Sequence, residues 1–180
     1  ERDEKLTTLV SLIVSALGRT LSKNKMFNSY REGDSIFLYE EINVGIVVAN
    51  ENSLSVPIIK NTNKLNMFEI SQELIRMRKS LLLKKPNSDD FVGGTFTVSA
   101  LDHTEIIRFS PIIHPNQAGV LSIPKIYDEV YVNNKDKIEI NKFLNLGLTF
   151  DHSYLDANQG VVFMNDLINF VNIEIEKFKN

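Results

Sequence analysis

Phe143-Leu-Asn-Leu-Gly-Leu-Thr-Phe-Asp-His-Ser-Tyr-Leu-Asp-Ala-Asn158 runs from an apolar segment, through a histidine, into the polar opening of a helix. Residues 143–150 predict a buried strand, and beyond them Val161, Met164, Ile168, Val171, Ile175 and Phe178 recur at helical spacing. His152 and Asp156 therefore fall on a connection between strand and helix. A neutral imidazole held there can serve as a general base, and a carboxylate four residues on can orient the site or fix the turn. The same spacing also has an ordinary explanation, in which Asp156 caps the last helix and His152 is simply a hydrogen-bonded histidine.

The periodicities on the upstream side make this connection part of a larger α/β pattern. Leu6, Leu9, Val10, Ile13, Leu17 and Leu21 predict an amphipathic helix over residues 5–23, with Gly18 its weakest position. Strands are expected over residues 35–39, 43–49 and 55–59, the middle one too uniformly apolar to have a solvated face. A second helix opens at Asn66, with Glu69 at the reciprocal capping position and Leu65 placed to staple against Ile70. It runs to about Lys84 and stops before Pro86, and Asp89 and Asp90 follow in a polar, solvated loop. Strands over 95–101, 118–123, 129–132 and 140–150 complete the chain. Three helices interleaved with such strands predict a two-layer α/β domain built on a mixed sheet.

Composition narrows the function classes. The 180 residues are 43% apolar and 24% charged, which suits one domain with a substantial core. A net charge of −3 with scattered Lys and Arg gives no footprint for nucleic acid. The chain has no cysteine, so thiol chemistry would have to use a thiol of the substrate, and a reducing, cytoplasmic setting is expected. No apolar run approaches the roughly 20 residues of a bilayer span, so a membrane is not expected as a partner. His103 and His114, taken with Asp102 and His152, lack the spacing of a helical metal site and read as loop residues, and no metal is expected.

Five blocks in order resemble the catalytic domain of the dihydrolipoamide acyltransferases, the core components of 2-oxoacid dehydrogenase complexes. They are Asn43-Val-Gly-Ile-Val-Val-Ala49, Leu54-Ser-Val-Pro-Ile-Ile-Lys60, Phe91-Val-Gly-Gly-Thr-Phe-Thr-Val-Ser99, Phe109-Ser-Pro-Ile-Ile-His-Pro-Asn-Gln-Ala118 and the Asp151-His152 turn. The resemblance implies a chloramphenicol-acetyltransferase-like sandwich, its mixed sheet covered by helices on one face. Residues 1–180 would form the acyltransferase catalytic domain without the family's first helix and strand, and without a lipoyl or subunit-binding domain. It further implies homotrimers that build a larger cage, with active sites in channels between subunits. Coenzyme A would enter one end as a substrate, and a lipoyl group carried by a separate lipoyl domain would enter the other. The decarboxylase and dihydrolipoamide dehydrogenase components would be the remaining partners.

In that scheme His152 deprotonates the attacking thiol, Asp156 supports the turn, and a hydroxyl of the Phe-Thr-Val-Ser block from the adjacent subunit stabilises the tetrahedral oxyanion. Ser99 is the first choice and Thr97 the second, since residues two apart on a strand share a face. Three departures from the family pattern stand out. Ser153 replaces an arginine, Ala157 replaces a glycine, and Ala100-Leu-Asp-His103 replaces Asn-Leu-Gly. Ala157 predicts an ordinary helical start with negative φ. Two other functions share some of these features: a cage-forming core with little catalysis, and an acyltransferase acting on a free small molecule.

Overall fold

The computed structural model describes residues 2–50 and 53–179, and side chains over 9–49 and 54–176. The three apolar periods form helices α1 (Arg2–Lys23), α2 (Met67–Leu82) and α3 (Ala157–Lys179). The side chains of Leu6 and Phe178 lie outside the described residues. In α1, Val10, Ile13, Val14, Leu17 and Leu21 are buried, as the stripe requires. Gly18 has a packing reason: a Cβ there would meet the Thr62 and Asn63 backbone at 3.0 Å. At the start of α2 the Asn66 side chain accepts from the Glu69 N–H at 3.0 Å and the Asn66 N–H donates to Glu69 Oε2 at 2.8 Å, the reciprocal cap expected there.

Among the described residues there are ten strands: β1 (Ser29–Glu32), β2 (Ser35–Leu38), β3 (Val44–Asn50), β4 (Ser53–Ser55), β5 (Ile58–Ile59), β6 (Phe96–Ala100), β7 (Gly119–Ile123), β8 (Tyr127–Val132), β9 (Ile138–Phe143) and β10 (Gly147–Phe150). The main sheet runs β10-β7-β6-β3-β4, with β5 also on β3. It is mixed: β3, β6 and β7 are parallel, while β10, β4 and β5 join antiparallel. Val44, Ile46, Phe96, Val98, Leu121 and Ile123 point to a single core shared with the helices. At its centre Phe163 of α3 lies 5.9 Å from Phe96 and 4.4 Å from Phe27, ring to ring.

The structure departs from the sequence pattern in four places. Residues 140–150 are not one strand. They break at Leu144–Leu146, so β9 pairs with β8 as a separate hairpin and β10 enters the main sheet, and residues 143–150 are half-buried rather than buried. Residues 55–59 are likewise split at Val56-Pro57, since proline has no N–H for a ladder. β1 is a strand that the sequence pattern does not predict: Ser29-Tyr-Arg-Glu32 has no apolar alternation, yet it pairs with β2 in a hairpin turning at Gly33 with φ +59. Asp90 is no solvated loop residue: the Arg76 guanidinium grips its carboxylate in a fork at 2.9 and 3.0 Å, holding its pKa below the usual carboxylate range.

The sheet face away from the core carries both hydroxyl candidates, Thr97 and Ser99. Parallel pairing aligns Gly45, Thr97 and Val120, with Thr149 of β10 opposite Val120, in one row; the next contains Val47, Ser99, Ser122 and Gly147. Both rows consist of small or hydroxylated side chains with a few valines. β3 is buried at its start but opens from Val47 onward, so the expected cover over both of its faces is only partial.

Candidate active site

His152 sits on the turn between β10 and α3, and backbone bonds hold that turn. The Asp151 N–H donates to the Ala118 carbonyl at 2.9 Å, Asp151 Oδ1 accepts from the Ser153 N–H at 2.9 Å, and its carbonyl accepts from the Leu155 N–H at 3.2 Å. Leu155 is buried in the core, and the Tyr154 hydroxyl lies 3.3 Å from Ser29 Oγ. The turn is therefore anchored on both sides of an exposed imidazole, which stacks on Phe150 with ring centres 5.6 Å apart. Asp151 is the residue whose part sequence reading left undefined; an Asx turn just after a strand is its signal.

Asp156 caps α3. Its Oδ1 accepts from the Gln159 N–H at 2.8 Å, and its own N–H donates to Gln159 Oε1 at 2.8 Å. Ala157 is the first helical residue and is not among the positive-φ positions, as its replacement of glycine predicts. The helix start is pressed close to the strand, since a Cβ at Gly160 would lie 3.0 Å from the Phe150 ring. Beside Asp156, on the side facing α1, opens a cleft of about 430 Å³ walled by Lys23, Lys25, Phe27 and Gln159 among others.

The two hydroxyl candidates on β6 differ in their surroundings. Thr97 is 3% exposed and its hydroxyl donates to Gln117 Oε1 at 2.7 Å, while Gln117 Nε2 donates to the Gly94 carbonyl at 3.2 Å. Ser99 is half-buried near the open end of the strand and has no hydrogen-bond partner for its side chain among the described residues. Strand register sets Ser99 apart from His152 in the same chain. Ser99 shares a row with Gly147, two strands away and five residues before His152, so rises of about 3.3 Å per residue and spacings of about 4.8 Å per strand put them roughly 15 Å apart or more.

The remaining histidines stay in loops. His114 Nδ1 lies 3.1 Å from the Pro115 carbonyl, and His103 Nδ1 is 3.8 Å from Asp102 Oδ1. Among the described residues no three His, Asp or Glu side chains converge, and no helix is long and apolar enough to cross a membrane.

A mixed sheet backed by helices on one face, with a histidine turn at one edge, defines an α/β fold of the chloramphenicol acetyltransferase type. A solved chloramphenicol acetyltransferase superposes with a TM-score of 0.55 at 15% identity, covering 90% of this chain and 77% of that one. A crystal structure of a probable dihydrolipoamide acetyltransferase from Listeria monocytogenes matches far more closely, with a TM-score of 0.87 and 27% identity over 92% of this chain and 70% of its own. The chain belongs to the family described as 2-oxoacid dehydrogenases acyltransferase (catalytic domain), whose model matches residues 1–178. Among curated relatives it is 32% identical over 165 residues to the dihydrolipoyllysine-residue acetyltransferase component of the pyruvate dehydrogenase complex of Haemophilus influenzae, covering 91% of this chain and 29% of the relative. It is also 32% identical over 150 residues to the lipoamide acyltransferase component of the branched-chain alpha-keto acid dehydrogenase complex of Bacillus subtilis, covering 83% of this chain and 35% of the relative. The chain thus spans about a third of the length of these relatives.

Proposed function

We propose that this domain transfers an acyl group between coenzyme A and the dihydrolipoyl-lysine of a lipoyl domain, as the acyltransferase core of a 2-oxoacid dehydrogenase complex. The observation that carries the reading is the exposed His152 on a doubly anchored turn within a family-wide match. A thiol with an ordinary pKa near 8.5 is mostly protonated at neutral pH, so its attack on a thioester carbonyl needs a base, and imidazole is the side chain suited to it. His152 takes the thiol proton as sulfur attacks, and returns it to the departing sulfur when the tetrahedral intermediate collapses.

Ser99 donates its hydroxyl to the oxyanion of that intermediate. Since Ser99 and His152 of one chain lie too far apart to act together, the hydroxyl opposite a given His152 comes from a second copy, which supports the homotrimer. Asp156 contributes through the cap that sets the start of α3, and thereby the turn. Trimers building a cage, with a decarboxylase and dihydrolipoamide dehydrogenase bound around it in the cytoplasm, complete the reading.

The test is an assay of purified protein with acyl-coenzyme A and free dihydrolipoamide, read as acyl-dihydrolipoamide formed. His152→Ala should lose most of the rate. Retention of full activity in that variant removes the mechanism, and assembly without transfer from any acyl-coenzyme A favours a purely structural core.

A further inference from the structure

Asp102 is a buried carboxylate that the proposed reaction does not use. It lies three residues beyond Ser99, just past the end of β6. The turn it sits in closes without it: the Thr104 N–H and Oγ1 both donate to the Leu101 carbonyl, at 3.0 and 2.7 Å, and the Leu101 N–H donates to the Ile123 carbonyl at 2.8 Å. The Asp102 side chain is only 6% exposed, and its Oδ2 is fully buried with no hydrogen-bond partner among the described residues. Oδ1 faces His103 Nδ1 at 3.8 Å, and among the described residues the carboxylate is otherwise favoured by the Asp102 backbone N–H and by the charge of Arg78 on α2. An ionised carboxylate in this setting carries a desolvation cost that its neighbours offset incompletely.

We infer that Asp102 is a proton-operated latch on the turn that ends β6: with a proton on its carboxyl the turn closes over it, and as an anion it loosens the turn and the Ser99 end of the strand. The idea that this regulates catalysis rests on the role proposed for Ser99; the latch itself does not. Burial pushes the Asp102 carboxyl above the usual carboxylate range, more than its backbone N–H, His103 and Arg78 together lower it. The folded state therefore holds this proton more tightly than the unfolded chain. The stabilising effect of the proton is complete below the unfolded pKa near 3.9 and is lost as pH rises through the folded pKa.

The experiment compares the wild-type protein with Asp102→Asn and His103→Gln by thermal melting and by amide hydrogen exchange over residues 99–104, corrected for intrinsic rates, from pH 4 to pH 8. Asparagine keeps the shape without the charge, so Asp102→Asn should melt about 2–4 °C above wild type at pH 8, with the gap closing toward pH 4. Protection over residues 99–104 should fall with rising pH in wild type and in His103→Gln, but not in Asp102→Asn. A lower melting temperature for Asp102→Asn at pH 8, a pH response unchanged in Asp102→Asn, or one abolished by His103→Gln overturns the latch. None of these readouts needs turnover, so a failed transfer assay removes the proposed function and leaves the latch to be judged separately.

Discussion

Thr97 donates its hydroxyl to Gln117 at 2.7 Å, in a buried pair on the same strand face as Ser99. Its proton is committed, and turning it toward a reacting oxyanion would leave Gln117 Oε1 without a donor. Ser99→Ala should therefore lower kcat by about 10²–10³-fold with little change in melting temperature, the measured cost of removing one oxyanion donor in comparable sites. Thr97→Val should do the reverse, costing about 1–3 kcal/mol of stability through the orphaned Gln117 while leaving most of the rate. Steady-state kinetics and denaturant unfolding of the two variants separate them.

His152 is exposed, and its described side-chain contact is the stack on Phe150. His152→Ala should reduce turnover by about 10²–10⁴-fold, the range of a positioned acid-base group, without a loss of fold visible by circular dichroism. A comparable loss of stability would mark the residue as structural.

Asp156 can be tested by separating its charge from its shape. Asp156→Ala removes the cap of α3 and should cost about 0.5–2 kcal/mol of stability, while Asp156→Asn keeps an acceptor for the Gln159 N–H and should keep the stability. If the carboxylate acts on His152 through its charge, Asp156→Asn instead loses kcat and shifts the pH profile at unchanged stability.

Asp166 of α3 accepts from Lys23 Nζ at 2.7 Å and from Asn24 Nδ2 at 2.9 Å, tying the end of α1 to α3. These bonds, Lys23 first, hold its pKa below the usual carboxylate range. For an acid whose pKa is depressed by folding, the contribution is present above the unfolded value near 3.9 and is lost as pH falls through the folded one. Melting temperatures should accordingly fall less steeply below pH 4 in Asp166→Asn than in wild type, though the variant starts from a lower value at pH 7.

Phe163 sits between Phe27 and Phe96, where the helices meet the sheet. Truncation to alanine should cost about 3–5 kcal/mol, as for large-to-small changes in packed cores. Chemical denaturation should show a shifted midpoint with an unchanged slope.

Much of this was legible in the linear chain because its cause is local. Apolar residues at helical steps drew α1, α2 and α3, and the capping box at Asn66 marked a helix start to the residue. The Asp-His turn was visible because an apolar run gives way there to a helical period, and Ala157 correctly implied an ordinary helix start. The break between β9 and β10 was not legible: Leu144 and Leu146 keep the apolar pattern running, and only pairing with different partners shows that the strand stops.

The sequence by itself determined the α/β class and the position of a histidine between strand and helix, and its family resemblance pointed to a pair of hydroxyls as candidates to face it. Tertiary structure decided what those residues are free to do. Gln117, twenty residues away in the chain, takes the hydroxyl proton of Thr97; the strand register carries Ser99 away from His152; and burial leaves Asp102 Oδ2 without a partner. Each depends on which segments meet across the sheet, and hydrophobic periodicity records only which side of an element faces inward.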